Sequence, residues 1–139
     1  TAYFKRKLEK EGFEVTVYEK EGFEVMEDTV ESFKNRYDLV LYLANIETAS
    51  NKTVSRLNWH TMFGLGNNMP WMVYELPVAF ISIGNPYHLL DAPMVKTYIN
   101  GYCNSEYVMD AVVDKMMGRS EFKGTSPIDP FCGKIDLKF

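Results

Sequence analysis

Four residues able to move a proton or hold a polar ligand crowd one short stretch: Asn85, Tyr87, His88 and Asp91. His88 and Asp91 stand three positions apart, close enough to share a loop. An imidazole beside a carboxylate can be tuned as a proton-transfer group. The same side chains can equally hold a turn together by bonding to their own backbone. A second cluster sets Arg56 near Trp59 and His60 and reads as a flat, polar binding surface. Aromatic faces stack on rings but also fill cores. Most of Trp71, Tyr74, Tyr98 and Tyr102 read as core.

Other chemistries lack their motifs. His60 and His88 lie in separate segments, neither with a partner at zinc-ligand spacing, so no metal site is expected. Gly64 and Gly66 follow no strand, lack a third glycine and precede no Lys-Ser/Thr pair, which removes the phosphate-cradling readings. That stretch reads as a plain loop. No Gly-x-Ser-x-Gly elbow occurs, so no serine nucleophile is indicated. Cys103 and Cys132 are too distant for a C-x-x-C unit and read as buried free thiols. No cofactor is called for.

The turn at Asn85–Asp91 depends on the run before it. Val78 to Ile83 is almost unbroken apolar sequence with Ser82 its only polar member. Such a run suits a strand covered on both faces, as in a parallel sheet between helices. Gly84-Asn85-Pro86 stops it, because proline keeps Asn85 out of the helical region. Loops at the carboxyl ends of such strands are where α/β proteins place their chemistry.

Upstream, residues 2–11 read as a helix ending at Gly12, with Phe4 and Leu8 on one face. Phe13, Val15 and Val17 alternate as a strand, and Asp28 with Glu31 reads as a capping box opening a helix through Tyr37. Leu39 to Ala44 is a second apolar strand closed by the loop 45–50. Val54, Leu57 and Trp59 suggest a short helix, and Pro70 to Glu75 another. Thr97 to Tyr102 is a more polar strand. Ser105 caps a last helix, striped by Val108, Ala111, Val112 and Met116 and ended by Gly118. Beyond Arg119, Pro127 and Pro130 exclude a central strand.

The alternation of helix and strand indicates an α/β fold: a three-layer sandwich with a mostly parallel, flavodoxin-like sheet. The sequence opens inside a helix, so the sheet is expected to lack its first strand and the chain to be part of something longer. Its 139 residues suit one domain spanning 1–139, and 46% hydrophobic content supplies a core. A net charge of −4 argues against a nucleic-acid partner. The basic run Lys5-Arg6-Lys7 has Glu9 and Glu11 beside it and reads as a solvated helix face. No segment has the length of a membrane span or the form of a secretion signal, which leaves the compartment open, cytoplasmic or secreted. Glu9–Val15 recurs as Glu19–Val25, too short a duplication for a repeat fold.

Taken together, Phe80-Ile-Ser-Ile-Gly-Asn-Pro-Tyr87, Asp91, Thr97-Tyr-Ile-Asn-Gly-Tyr102, Ala111-Val-Val, Gly118 and Phe122-Lys-Gly-Thr-Ser-Pro127 resemble the C-terminal domain of family 3 glycoside hydrolases, nearest the β-N-acetylhexosaminidase branch. The resemblance runs from about Pro77 to Pro127, with a consistent order of elements upstream. It implies an N-terminal TIM-type barrel as partner, which supplies the aspartate nucleophile of a retaining mechanism. It implies an amino-sugar glycoside at the junction of the two domains. In the hexosaminidase branch the acid/base is a His-Asp pair on a barrel loop, and in the β-glucosidase branch a Glu of the C-terminal domain. No residue here matches those motifs, so no catalytic residue is carried over, neither Glu47 nor Glu75. Asn85, Tyr87, His88, Asp91, Arg56 and Trp59 are instead expected to face the substrate pocket or the barrel. The rival expectation is a stand-alone flavodoxin-like binding module, or one that forms a homo-oligomer through an open sheet edge.

Overall fold

The computed structural model describes residues 1–19, 28–46, 56–57, 59, 61–62, 65–66, 70 and 72–134. The elements run α1 (Ala2–Lys10), α2 (Val30–Arg36), β1 (Val40–Ala44), β2 (Thr61–Met62), β3 (Leu65–Gly66), β4 (Val78–Ser82), a 3-10 helix (Pro86–Asp91), β5 (Thr97–Asn100) and α3 (Glu106–Met116). β1, β4 and β5 form a parallel sheet with β4 at its centre. β2 and β3 pair separately and antiparallel.

β4 is buried at every position, as its apolar run requires. Its alternate side chains enter two different cores. On one face Ile81 and Ile83, with Ile99 of β5, meet Phe4 and Leu8 of α1 and Met109, Val112 and Val113 of α3. On the other face Val78 packs with Phe33 of α2 and with Met72, Val73 and Leu76. Phe80 packs there with Ala44 and Ala92. Helix, sheet and helix give the expected three layers.

Register adds an aromatic ladder to the α2 face. Tyr42, Phe80 and Tyr98 are direct partners across the three strands. Phe80 stacks on Tyr42 at 5.9 Å and on Tyr98 at 5.5 Å between centroids. Cross-strand aromatic pairs of this kind favour one register over a slipped one.

α1 and α3 end alike. After α1 the Phe13 N–H donates to Leu8 O at 3.2 Å and the Gly12 N–H to Glu9 O at 3.0 Å. After α3 the Arg119 N–H donates to Asp114 O at 2.9 Å and the Gly118 N–H to Lys115 O at 3.1 Å. Both are Schellman turns, which need a left-handed residue, and Gly12 and Gly118 have φ of +92° and +73°. Arg119 then forks onto the Glu11 carboxylate at 2.7 and 2.8 Å, tying the two helix ends together.

Several local expectations change. Phe13, Val15 and Val17 join no ladder among the described residues. Alternation places side chains on two sides, but a strand also needs a neighbour to bond. The cap of α2 is Thr29, not Asp28: Thr29 Oγ1 accepts the Ser32 N–H and Ser32 Oγ accepts the Thr29 N–H. Asp28 is engaged by Arg36 at 2.5 Å and by the Tyr18 hydroxyl at 2.8 Å. Leu57 and Trp59 are irregular, and Met72–Leu76 is a single turn closed by Leu76 N–H to Met72 O at 3.0 Å. Leu65–Gly66 is a strand rather than loop, whereas Gly64, His60, Trp71, Glu47 and most of the second heptapeptide lie outside the described residues. Both cysteines are exposed, because they sit in surface turns and not in the core.

Candidate functional site

The turn after β4 is built from its own side chains. Asn85 is extended, and its Oδ1 accepts the Tyr87 N–H at 2.8 Å, capping the 3-10 helix whose first residue is Pro86. Gly84 lets this turn pass close to the end of β1. A Cβ there would stand 3.1 Å from Ile46 O.

Ser82 and His88 bind the turn to the strand beneath it. Ser82 Oγ donates to Asn85 O at 2.7 Å and lies 2.9 Å from His88 Nδ1. A hydroxyl has one proton, and Asn85 O takes it, so His88 Nδ1–H is the donor in the second bond. Nε2 of the neutral ring is then an acceptor. It is buried and has no hydrogen-bond partner among the described residues. His88 is fully buried, and that burial pushes its pKa below the usual imidazole value against the smaller opposing effect of Asp91.

Asp91 has a different task. Its buried carboxylate accepts the Leu57 N–H at 2.9 Å and pairs with the Arg56 guanidinium, while its carbonyl accepts Trp59 Nε1–H at 2.9 Å. The Trp59 indole meets the edge of Tyr42 at 6.0 Å. Arg56, Trp59 and Asp91 therefore form one cluster that fastens residues 56, 57 and 59 to the turn. The Arg56 pKa is raised, chiefly by its bond to Asp91.

The structure thus corrects the idea of a His88–Asp91 pair. A 3-10 helix sets positions three apart one above the other, so it is the partners the fold supplies, and not the helix, that separate His88 from Asp91. His88 turns inward to Ser82, Asp91 turns to Arg56, and Tyr87 is left half-exposed. Arg56 and Trp59 do come together with Asp91, as a bracket. Sequence reasoning missed two polar groups. One is Ser82, whose signal was its isolation in an apolar run. The other is Asn100, paired in register with Ser82, whose Oδ1 is a second buried acceptor without a partner among the described residues. Among those residues no three His, Cys, Asp or Glu side chains gather to hold a metal, and no helix is long and apolar enough to cross a membrane.

No family model matches the chain. It is similar to a solved beta-glucoside phosphorylase BglX, with a TM-score of 0.83 and 42% identity over 99% of this chain and 24% of that one. The chain is homologous to one segment of a longer enzyme. With the phosphorylase bound to 2FGlc, the TM-score is 0.81 and the identity 44%, over 95% and 23% of the two chains. A beta-N-acetylglucosaminidase/beta-glucosidase of Cellulomonas fimi is 46% identical over 101 residues, 73% of this chain and 18% of the relative. The chain spans about a fifth to a quarter of the proteins it matches. These likenesses support the resemblance to a family 3 C-terminal domain without fixing the branch.

Proposed function

We propose that residues 1–139 are the C-terminal accessory domain of a family 3 glycoside hydrolase of the β-N-acetylhexosaminidase type. In this reading a linked N-terminal barrel carries the nucleophile, and a terminal amino sugar is removed by retaining hydrolysis. The chain itself braces the barrel and borders the sugar pocket. One observation carries the assignment to such a domain: identity above 40% with a matching fold over nearly the whole chain, against one quarter of an enzyme that acts on β-glucosides by name. The amino-sugar part draws only on the relative named for both a beta-N-acetylglucosaminidase and a beta-glucosidase.

The turn 85–91 at the carboxyl end of β4 is the part aimed at the domain junction, the usual place for a ligand in an open α/β sheet. Tyr87, half-exposed, is its outward member, and Asn85 caps the helix that carries it. Arg56, Trp59, His88 and Asp91 hold it rigid from behind, which keeps the outward group in place when substrate arrives.

The test joins this chain to its upstream catalytic domain and compares hydrolysis of aryl N-acetylglucosaminide and aryl glucoside. The expected result is activity in the joined protein with preference for the amino sugar, and none in residues 1–139 alone. Activity of the isolated chain would overturn the division of labour. A preference for the glucoside would overturn the branch.

A further inference from the structure

His88 is fully buried, and its surroundings suit only one protonation state of the ring. Nδ1–H donates to Ser82 Oγ at 2.9 Å. Nε2 has no hydrogen-bond partner among the described residues. A second proton would go to Nε2, where the new N–H meets no acceptor among these residues and the charge is cut off from water. The closed turn therefore takes the neutral ring, and burial pushes the pKa of His88 below the usual imidazole value.

The groups set around the ring do little to offset that charge. Asp91, on the same 3-10 helix, opposes the effect of burial, but its carboxylate already serves Arg56 and the Leu57 N–H. Arg56 is itself a cation. Tyr98 of β5 donates its hydroxyl to Pro86 O at 3.3 Å and stays neutral, since burial raises its pKa. β4 presents the uncharged hydroxyl of Ser82. An imidazolium is favoured only once the ring has left this place.

The turn is also the part that can leave first. Its 3-10 bonds are long, 3.4 Å from His88 N–H to Asn85 O and 3.2 Å from Ala92 N–H to Leu89 O. Bonds from i to i+3 have poorer geometry than those of an α-helix. Beneath it β4 is buried at every position, and Ile83 N–H donates to Ala44 O at 2.9 Å. Weakly bonded surface segments open at lower free energy than core strands.

We propose that Ser82 and His88 form an acid-released latch: one proton taken up at His88 Nε2 frees the turn 85–91 from β4 while the parallel sheet stays folded. The proton comes from water and binds the open form, and no covalent bond to carbon changes. The freed ring titrates near its ordinary value of about 6.5. Opening therefore gains about tenfold for each pH unit below that value and little above it. The latch itself is independent of which sugar is cleaved. Its consequence rests on the proposed function: at the domain junction an open turn carries Tyr87 out of place, so acid weakens substrate binding before it unfolds the chain.

Amide hydrogen exchange of the full chain, followed by NMR at pH 7.5 and 5.5 with and without dilute urea, tests the latch. After correction for intrinsic rates, the opening constants of the His88 and Ala92 amides are expected to rise about tenfold at pH 5.5. They should exceed that of Ile83 about tenfold or more and respond little to urea, because a local opening exposes little surface. His88→Gln, which keeps a side-chain donor for Ser82, is expected to lose the rise. An unchanged opening constant at pH 5.5 in the parent would overturn the proposal, as would a rise that persists in His88→Gln. So would His88 and Ala92 amides that follow Ile83 in rate and urea response, which would mean that only the whole chain opens. A His88 ring protonated at Nε2 at pH 7.5, read from its nitrogen shifts, would overturn it without any variant.

Discussion

The Ser82 hydroxyl and the His88 Nδ1 stand 2.9 Å apart and join the last residue of the central strand to the helix that follows it. Both residues are buried, so each depends on the other for a hydrogen bond that water cannot replace. Ser82→Ala is expected to cost about 1–3 kcal/mol, because it strands the His88 donor and removes the proton given to Asn85 O. Chemical denaturation measures this. An unchanged midpoint would mean that the turn is held from elsewhere.

The same pair sets a pH dependence. Burial keeps His88 neutral in the fold, while in the unfolded chain it protonates near its ordinary pKa of about 6.5. The unfolded state then binds more protons, so this contribution is present above about pH 6.5 and is lost as the pH falls below it. Glu11 and Asp110 have lowered pKa values, mainly through bonds to Arg119 and Lys7, and they lose their contributions only below the ordinary carboxylate range. Unfolding free energies at pH 7.5 and 5.5 are expected to differ less in His88→Gln than in the parent. Equal differences would remove His88 as the titrating group.

Asp91 should act as a bracket. Asp91→Ala removes the acceptor of Leu57 N–H and the partner of Arg56 but leaves the carbonyl that receives Trp59. The expected loss is about 1–3 kcal/mol from the newly unpaired groups. The near-ultraviolet circular dichroism of the Trp59–Tyr42 contact should weaken with it. Arg56→Ala should cost much less, because its guanidinium is more than half exposed. Equal losses from both variants would contradict this asymmetry.

Two glycines should respond differently to alanine. A Cβ at Gly101 would lie 2.8 Å from Val108 Cγ1 and 3.3 Å from Ser82 O, so Gly101→Ala forces β5 and α3 apart at about 1–3 kcal/mol. At Gly118 a Cβ meets nothing within 4 Å, and only the left-handed backbone resists, at about 1–2 kcal/mol. The companion change Val108→Ala is expected to rescue Gly101→Ala and to leave Gly118→Ala unchanged, a difference that thermal melts of the double variants would reveal.

The aromatic ladder makes a fifth prediction. Phe80→Ala should destabilise by about 3–5 kcal/mol, since it opens a cavity between two stacked rings on the central strand. Phe80→Leu should recover most of this, and failure to do so would show that stacking outweighs volume.

The layers and the main sheet were legible in the amino-acid order. The apolar runs at Leu39–Ala44 and Val78–Ile83, the Ser105 cap and the terminal glycines Gly12 and Gly118 each act through near neighbours. Local sequence therefore carries their whole signal. The cap of α2 was misplaced by one position, since Asp28 and Thr29 are both able caps and Arg36 took the first. The placing of Leu57 was illegible because it is held by Asp91, 34 residues away.

Sequence by itself determined which segments are strands fit for a doubly covered sheet, and which residues could serve the turn after the central one. Tertiary structure alone decided how those residues divide: His88 to Ser82, Asp91 to Arg56 and Leu57, Tyr87 toward solvent. The physical reason is that a hydrogen-bonding group takes the partner the packed fold brings within 3 Å, and neighbours along the chain have no priority once the turn is wound.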